Sequence, residues 1–233
     1  MDFRDHDTRA VASPAEEAAA RKARSIARLK REGVPVLEML PAIESEAESR
    51  RRSTSDVAQR ALALATVAAK AEGHDQATSD EVMAFTRDLV QRFELSATFS
   101  QLERTFIEDA EPGEHDIVQF SWRYECYWTL LWALGFVDAL ERPSTLCDPA
   151  KAIEIMVELG RSGFLERATL RPPAEILDEA DLIYRYHWAV VDARLRGETV
   201  PGIHGGVVFE RHYALNWLIG DGDEQWDDIS TDT

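Results

Sequence analysis

The chain has 233 residues, 45% of them hydrophobic, and its 43 acidic side chains outnumber 26 basic ones to give a net charge of −17. That length is enough for one domain with a substantial core. Proteins that bind phosphates need an excess of Lys and Arg, so the negative charge argues against nucleic acid and anionic membrane surfaces. We therefore expect no nucleic-acid partner and no membrane association.

Cysteine usage and the N-terminal residues indicate the compartment. Cys126 and Cys147 are the only cysteines and lack the spacing of a zinc site or a disulfide framework, which predicts a cytoplasmic location. Residues 1–13 lack the apolar core of a signal peptide, and charges run through the first nine of them. We expect them to form a disordered tail before a single domain over residues 14–233.

Helix start and stop signals predict about eight helices and no series of strands. The fold class is therefore all-α, with a single compact domain and buried central helices. The first helix opens at the capping sequence Ser13-Pro14-Ala15-Glu16. In chain order the predicted helices cover about residues 14–32, 55–72, 79–93, 97–110, 115–134, 148–160, 173–196 and 207–219.

A basic face runs along the first predicted helix. Its arginines recur at helical spacing at positions 21, 24, 28 and 31. The first 52 residues carry 11 bases and 10 acids, so the rest of the chain holds the negative charge. We expect this face to dock against the acidic body, with the acidic C-terminal end as one source of partners. Trp226 and Ile229 are expected to anchor that end.

Ionisable side chains occur inside helices that are otherwise apolar. The fifth predicted helix contains two ionisable residues within a run that is apolar on all sides. The eighth contains three ionisable residues in such a run, and the seventh has a histidine on its apolar face. An unpaired buried charge costs several kcal/mol, so we expect these groups to meet across the core. The candidate polar cluster consists of Arg123, Glu125, His187, Glu210, Arg211 and His212.

Two functions fit such a cluster. In the first, it is a structural network of buried ion pairs, and the protein acts by binding a protein partner or by forming a homo-oligomer. In the second, it lines a pocket between predicted helices five, seven and eight that binds a small anionic ligand or performs acid–base catalysis. A metal site of His187, Glu210 and His212 is disfavoured, because no two of these histidines lie four residues apart on one helix. We favour the first and expect no metal and no cofactor.

Two glycines precede the eighth predicted helix. Gly205 and Gly206 could form an anion-binding nest, in which backbone N–H groups and the helix dipole attract a phosphate or carboxylate. The Lys-Ser/Thr pair that completes a P-loop is missing. We favour the simpler interpretation, that the glycines allow a tight turn with positive φ.

No motif for a catalytic nucleophile is present. Ser121 lacks the Gly-x-Ser-x-Gly elbow, and Cys126 lies in an apolar helix that disfavours a thiolate. We therefore predict an uncharacterised cytoplasmic helical binding module, with an enzyme as the less favoured alternative.

Four stretches resemble a known family: RKARS at 21–25, FSWRYE at 120–125, RHYALNW at 211–217 and WDDISTDT at 226–233. Together they are similar to the bacterial family catalogued as domain of unknown function 4272. The resemblance spans about residues 21–233. It implies bacterial origin, a single domain of this length and a C-terminal end that belongs to the folded unit. That family has no established activity, so the resemblance carries over no catalytic residues.

Overall fold

The computed structural model describes residues 13–50, 52–74, 76–220 and 224–233, and regular structure in these ranges is entirely helical. The all-α prediction is confirmed. Apart from Ser13, the predicted disordered tail lies outside the described residues. The helices are α1 Pro14–Arg31, α2 Thr54–Gly73, α3 Ser79–Arg92, α4 Gln101–Glu108, α5 Glu114–Ser121, α6 Arg123–Ala133, α7 Pro149–Arg167, α8 Pro173–Leu195 and α9 Gly205–Ile219, with a 3₁₀ helix at Trp226–Asp228.

Two apolar helices organise the packing. The Ala- and Leu-rich α2 lies among α3, α4, α5, α6 and α7, and is buried over most of its length. The second apolar helix is α6, which also contacts α9. Helix α9 packs against α8, and α8 contacts α1. In the described part of the chain, no helix combines the length and apolar character needed to cross a bilayer.

The fifth predicted helix is divided in two, and only its second half is central. The hydroxyl of Ser121 donates to the Val118 carbonyl at 2.7 Å, a contact that bends helices, and α5 ends there. A new helix, α6, begins at Arg123. None of the α5 side chains is buried, whereas most of those of α6 are. The expectation that the whole run is surrounded by other helices was therefore wrong for α5.

The sixth predicted helix is interrupted at Gly160, where its stop signal lies, and a second helical segment follows it. Gly160 adopts the non-helical φ 59° and ψ 179°, so α7 consists of two segments that meet at a kink, the second of which ends at Arg167. Glycine has no Cβ to oppose this backbone conformation.

The basic face of α1 docks against the acidic body, as expected, and its partners there lie on α8. Arg21 is buried and pairs with Glu17 and Asp178, and Arg24 Nη2 lies 2.6 Å from Asp178 Oδ1. Arg28 is paired with Glu32 and lies near Glu179. Carboxylates of α8 therefore supply partners for this face, whereas the C-terminal acids were one expected source.

The C-terminal segment, residues 224–233, packs against the body. Trp226 and Ile229 are buried, as expected. The hydroxyl of Tyr213 donates to the Trp226 carbonyl, and the indole packs edge-on against Trp217. Asn216 Nδ2 donates to the Ser230 carbonyl at 2.8 Å. These contacts attach the segment to one side of α9.

Close packing explains the glycines at the start of α9. A Cβ on Gly206 would lie 2.6 Å from the Trp122 ring, and one on Gly205 would lie 3.1 Å from Val190. Neither glycine has a positive φ, so the expected tight turn was wrong. Glycine is needed there because the α5–α6 junction approaches the α9 backbone.

We predict that Gly206→Ala destabilises the protein by about 1–3 kcal/mol, because the added methyl group overlaps the Trp122 ring. The matched control is Gly163→Ala in α7, where the new Cβ would make an ordinary 3.6 Å contact and helix propensity favours alanine. Urea-induced unfolding measures both. Equal effects of the two substitutions would contradict the packing explanation.

Candidate functional site

Arg123 and Glu210 form an ion pair between α6 and α9. Arg123 Nη1 lies 2.6 Å from Glu210 Oε2, and the Cys126 thiol donates to the same oxygen at 2.9 Å. Burial raises the pKa of Glu210, and the Arg123 guanidinium opposes that effect. Burial, reinforced by Glu210, also raises the pKa of Cys126 well above its ordinary value. Cys126 therefore stays a protonated donor to the carboxylate, as its apolar surroundings suggested.

Glu125 and Arg211 are neighbours that remain incompletely paired. Glu125 Oε1 accepts the Cys147 backbone N–H at 2.5 Å, but Oε2 has no hydrogen-bond partner among the described residues. Arg211 Nη1 donates to the Glu141 carbonyl at 2.6 Å, while its Nε likewise lacks a described partner. Burial lowers the pKa of Arg211, and Glu125 opposes this most strongly. The two groups therefore attract each other without a hydrogen bond between them.

His187 and His212 form a buried pair between α8 and α9. Their Nδ1 atoms lie 2.7 Å apart, so one ring donates and the other accepts. Burial lowers the pKa of both rings, that of His212 to about 3 with a further contribution from His187. His187 also bonds to the Thr231 backbone, which links the pair to the C-terminal segment.

Three of the six candidate residues each line a different cavity. Glu125 lines a cleft of about 630 Å³ beside α5, Arg123 lines a cavity of about 280 Å³ on the opposite side of α5, and His212 lines a third of about 340 Å³ under the C-terminal segment. The structure therefore joins the candidates as local pairs, Arg123 with Glu210 and His187 with His212. Gly205 and Gly206 lie at the start of α9, close to Val190 and Trp122.

The cleft beside Glu125, called here the Glu125 cleft, combines apolar walls with carboxylates. Its apolar walls include Ile117, Val118, Trp122, Leu146 and Pro149. Glu72, Glu114 and Glu125 also line it, and the described lining residues include no Arg, Lys or His. A site of this composition favours a ligand with an apolar body and a cationic or hydrogen-bond-donating head.

Two polar groups of the cleft were not predicted from the sequence. Tyr124 donates its hydroxyl to Glu72 Oε2 at 2.6 Å, and burial and this carboxylate raise the pKa of the phenol. Burial and Glu125 likewise raise the pKa of the Cys147 thiol. Both groups are therefore neutral at physiological pH. The sequence signal for them was weak, because a Tyr in an apolar helix and a Cys in a loop are common.

We predict that His212 makes the protein less stable in mild acid. The unfolded chain takes up a proton near pH 6.5, whereas the folded chain keeps this ring neutral down to about pH 3. Protonation therefore favours the unfolded chain as the pH falls through this window. Between pH 7 and 5 this ring lowers the free energy of unfolding by about 2 kcal/mol.

Over the same pH range, the free energy of unfolding of the variant His212→Gln should fall by about 2 kcal/mol less than that of the parent protein. Urea unfolding at each pH measures both. His115→Gln, at an exposed position of α5, is the matched control and should leave the pH dependence as it is in the parent. The same pH dependence in the parent and in His212→Gln would show that the buried ring does not titrate as described.

Comparison with known proteins gives a family and no relative of known activity. Residues 21–229 match the model of the family described as domain of unknown function DUF4272. No curated protein and no solved structure matches the chain. The matched range spans α6 and α9 with all six candidate polar residues, and it ends at the buried Ile229. The chain therefore belongs to the family of domain of unknown function DUF4272.

Proposed function

We propose that this chain is a binding protein that holds a small amphiphilic ligand, with an apolar body and a protonated amine, in the Glu125 cleft. One observation carries the proposal: Glu125 lines the cleft, is 1% exposed, and keeps one carboxylate oxygen without a hydrogen-bond partner in the described structure. A buried acceptor left without a donor costs roughly 1–3 kcal/mol. A ligand ammonium would supply the missing donor and an opposite charge.

The charge of the cleft supports a cation over the small anion considered from the sequence. Three carboxylates line the cleft, so an anionic head would meet like charges. Arg211, which could have attracted an anion, is not among the described residues that line the cleft. Val118 and Leu146 are partly exposed at 48% and 57%, and give the rim an apolar surface that suits the body of such a ligand.

The chemistry of the cleft supports binding rather than catalysis. A nucleophilic cysteine needs a lowered thiol pKa, whereas that of Cys147 is raised by burial and Glu125. The Tyr124 hydroxyl is occupied by Glu72. In this proposal the Arg123–Glu210 and His187–His212 pairs serve the packing of α6, α8 and α9. The protein is cytoplasmic, which the small number of cysteines supports.

The decisive experiment compares two ligands that have similar alkyl chains and head groups of opposite charge. Octylammonium should bind the protein saturably in isothermal titration calorimetry, and octanoate should bind at least tenfold more weakly. In the variant Glu125→Gln, the affinity for octylammonium should fall by about tenfold, because a charge-assisted hydrogen bond is lost. Glu158→Gln, at an exposed position of α7, is the matched control and should bind as the parent does.

Two results would contradict the proposal. Octanoate binding as tightly as octylammonium would show that the carboxylates do not select the ligand. Unchanged octylammonium affinity in a folded Glu125→Gln variant would remove the role of that residue. If this variant does not fold, Val118→Trp narrows the cleft from its exposed rim and should weaken octylammonium binding instead.

A further inference from the structure

A second cavity lies on the opposite side of α5 from the Glu125 cleft. It has a volume of about 280 Å³ and is bounded by α4, α5, the start of α6 and the C-terminal segment. We call it the Glu103 cavity. Its walls include Glu103, Phe106, Phe120, Arg123, Trp226 and Asp227. None of the six candidate residues except Arg123 is among the residues that line it.

Three residues that line this cavity each have a buried polar atom without a partner in the described structure. These atoms are Glu103 Oε1, Arg123 Nε and Trp226 Nε1. Glu103 and Trp226 are only 1% and 4% exposed. Native proteins leave few buried polar groups unsatisfied, so three on residues that line one small cavity call for an occupant.

Each of these residues is held in place through its other polar atoms. Glu103 Oε2 pairs with Arg60 and accepts the Ser100 backbone N–H at 2.9 Å. Arg123 uses Nη1 for Glu210, and the Trp226 carbonyl accepts the Tyr213 hydroxyl. The Glu103 and Arg123 side chains are therefore fixed by other bonds, and the Trp226 indole by its packing on Tyr213 and Trp217, as in a preorganised binding site.

The chemistry of these atoms defines the occupant. Glu103 Oε1 needs a donor, whereas Arg123 Nε and Trp226 Nε1 need an acceptor. A simple cation would leave both N–H groups unsatisfied. A simple anion would leave the carboxylate unsatisfied and would also meet Asp109, Asp116 and Asp227, which line the same cavity.

We propose that the Glu103 cavity binds a small zwitterion of the size of a free α-amino acid. The ligand ammonium donates to Glu103 Oε1, and the ligand carboxylate accepts from Arg123 Nε and Trp226 Nε1. The small volume suits a short side chain, which would lie near the stacked rings of Phe106 and Phe120, whose centroids are 4.2 Å apart. This site goes beyond the function proposed for the Glu125 cleft and does not depend on it.

Nuclear magnetic resonance of the ¹⁵N-labelled full chain tests the proposal at the indole N–H of Trp226. The probes are glycine and L-alanine as zwitterions, with acetate and methylammonium as the two halves of glycine. Glycine or L-alanine should shift the Trp226 Nε1–H resonance saturably, at concentrations at least tenfold below those that acetate or methylammonium need. Trp226→Phe identifies the resonance by its disappearance.

Affinity in variants gives the second measurement. Trp226→Phe keeps an aromatic ring but removes the donor, and should weaken alanine binding by about tenfold in calorimetry. Trp128→Phe is the matched control. Trp128 is a partly buried residue of α6 that packs against the hydrophobic core, and it does not line the Glu103 cavity. It should bind alanine as the parent does.

Three outcomes would overturn the proposal. One is that the zwitterions bind no more tightly than acetate or methylammonium. Another is that the Trp226 Nε1–H resonance is unmoved by either amino acid and shows a cross-peak to bound water, which would mean that water alone fills the cavity. The third is full alanine affinity in folded Trp226→Phe.

Discussion

A guanidinium and a carboxylate meet between two helices of the interior, where Arg123 of α6 pairs with Glu210 of α9. Glu210 lies in a helix with almost no exposed face, so an unpaired carboxylate there would cost several kcal/mol. The pair can form in only one register of α6 against α9. Because α6 also packs on α2 and α9 also packs on α8, this register sets how α2 and its neighbours lie relative to α8 and α9.

The position of the α6 start determines where the neighbouring polar groups point. Residues two apart on a helix face different directions, so fixing Arg123 toward α9 turns Glu125 toward the loop that carries Cys147. The Glu125 cleft and the Glu103 cavity then lie on either side of α5. The first turn of α6 contributes Arg123 to the Glu103 cavity and Glu125 to the Glu125 cleft.

The sequence was sufficient to predict the helices and many of the buried ionisable groups, for physical reasons that are local. Capping boxes such as Ser13 with Glu16 set helix starts. A charge within an apolar helix must be buried, and Glu125, Glu210 and His212 are indeed buried. The same argument applies to Lys70 of α2, which is absent from the predicted cluster but is also buried and donates to the Phe106 carbonyl at 2.6 Å.

Partners and cavities could not be predicted in the same way, because they depend on contacts between distant segments. The unpartnered Glu125 oxygen follows from the position of the loop at Cys147, and the need for glycine at 206 follows from a tryptophan ring that arrives from another helix. The division of the fifth predicted helix lies at Trp122, next to the hydroxyl contact of Ser121 with the Val118 carbonyl. Apolar periodicity continues through that point and carries no sign of it.

A double-mutant cycle between Arg123 and Glu210, measured by urea unfolding, tests the central claim most directly. Arg123→Met and Glu210→Gln should each lower the free energy of unfolding by about 3–5 kcal/mol, because each substitution leaves the remaining partner of the ion pair buried and unpaired. The double variant should cost at least about 2 kcal/mol less than the sum of the two. Additive costs, within about 0.5 kcal/mol, would contradict the claim that this pair fixes α6 against α9.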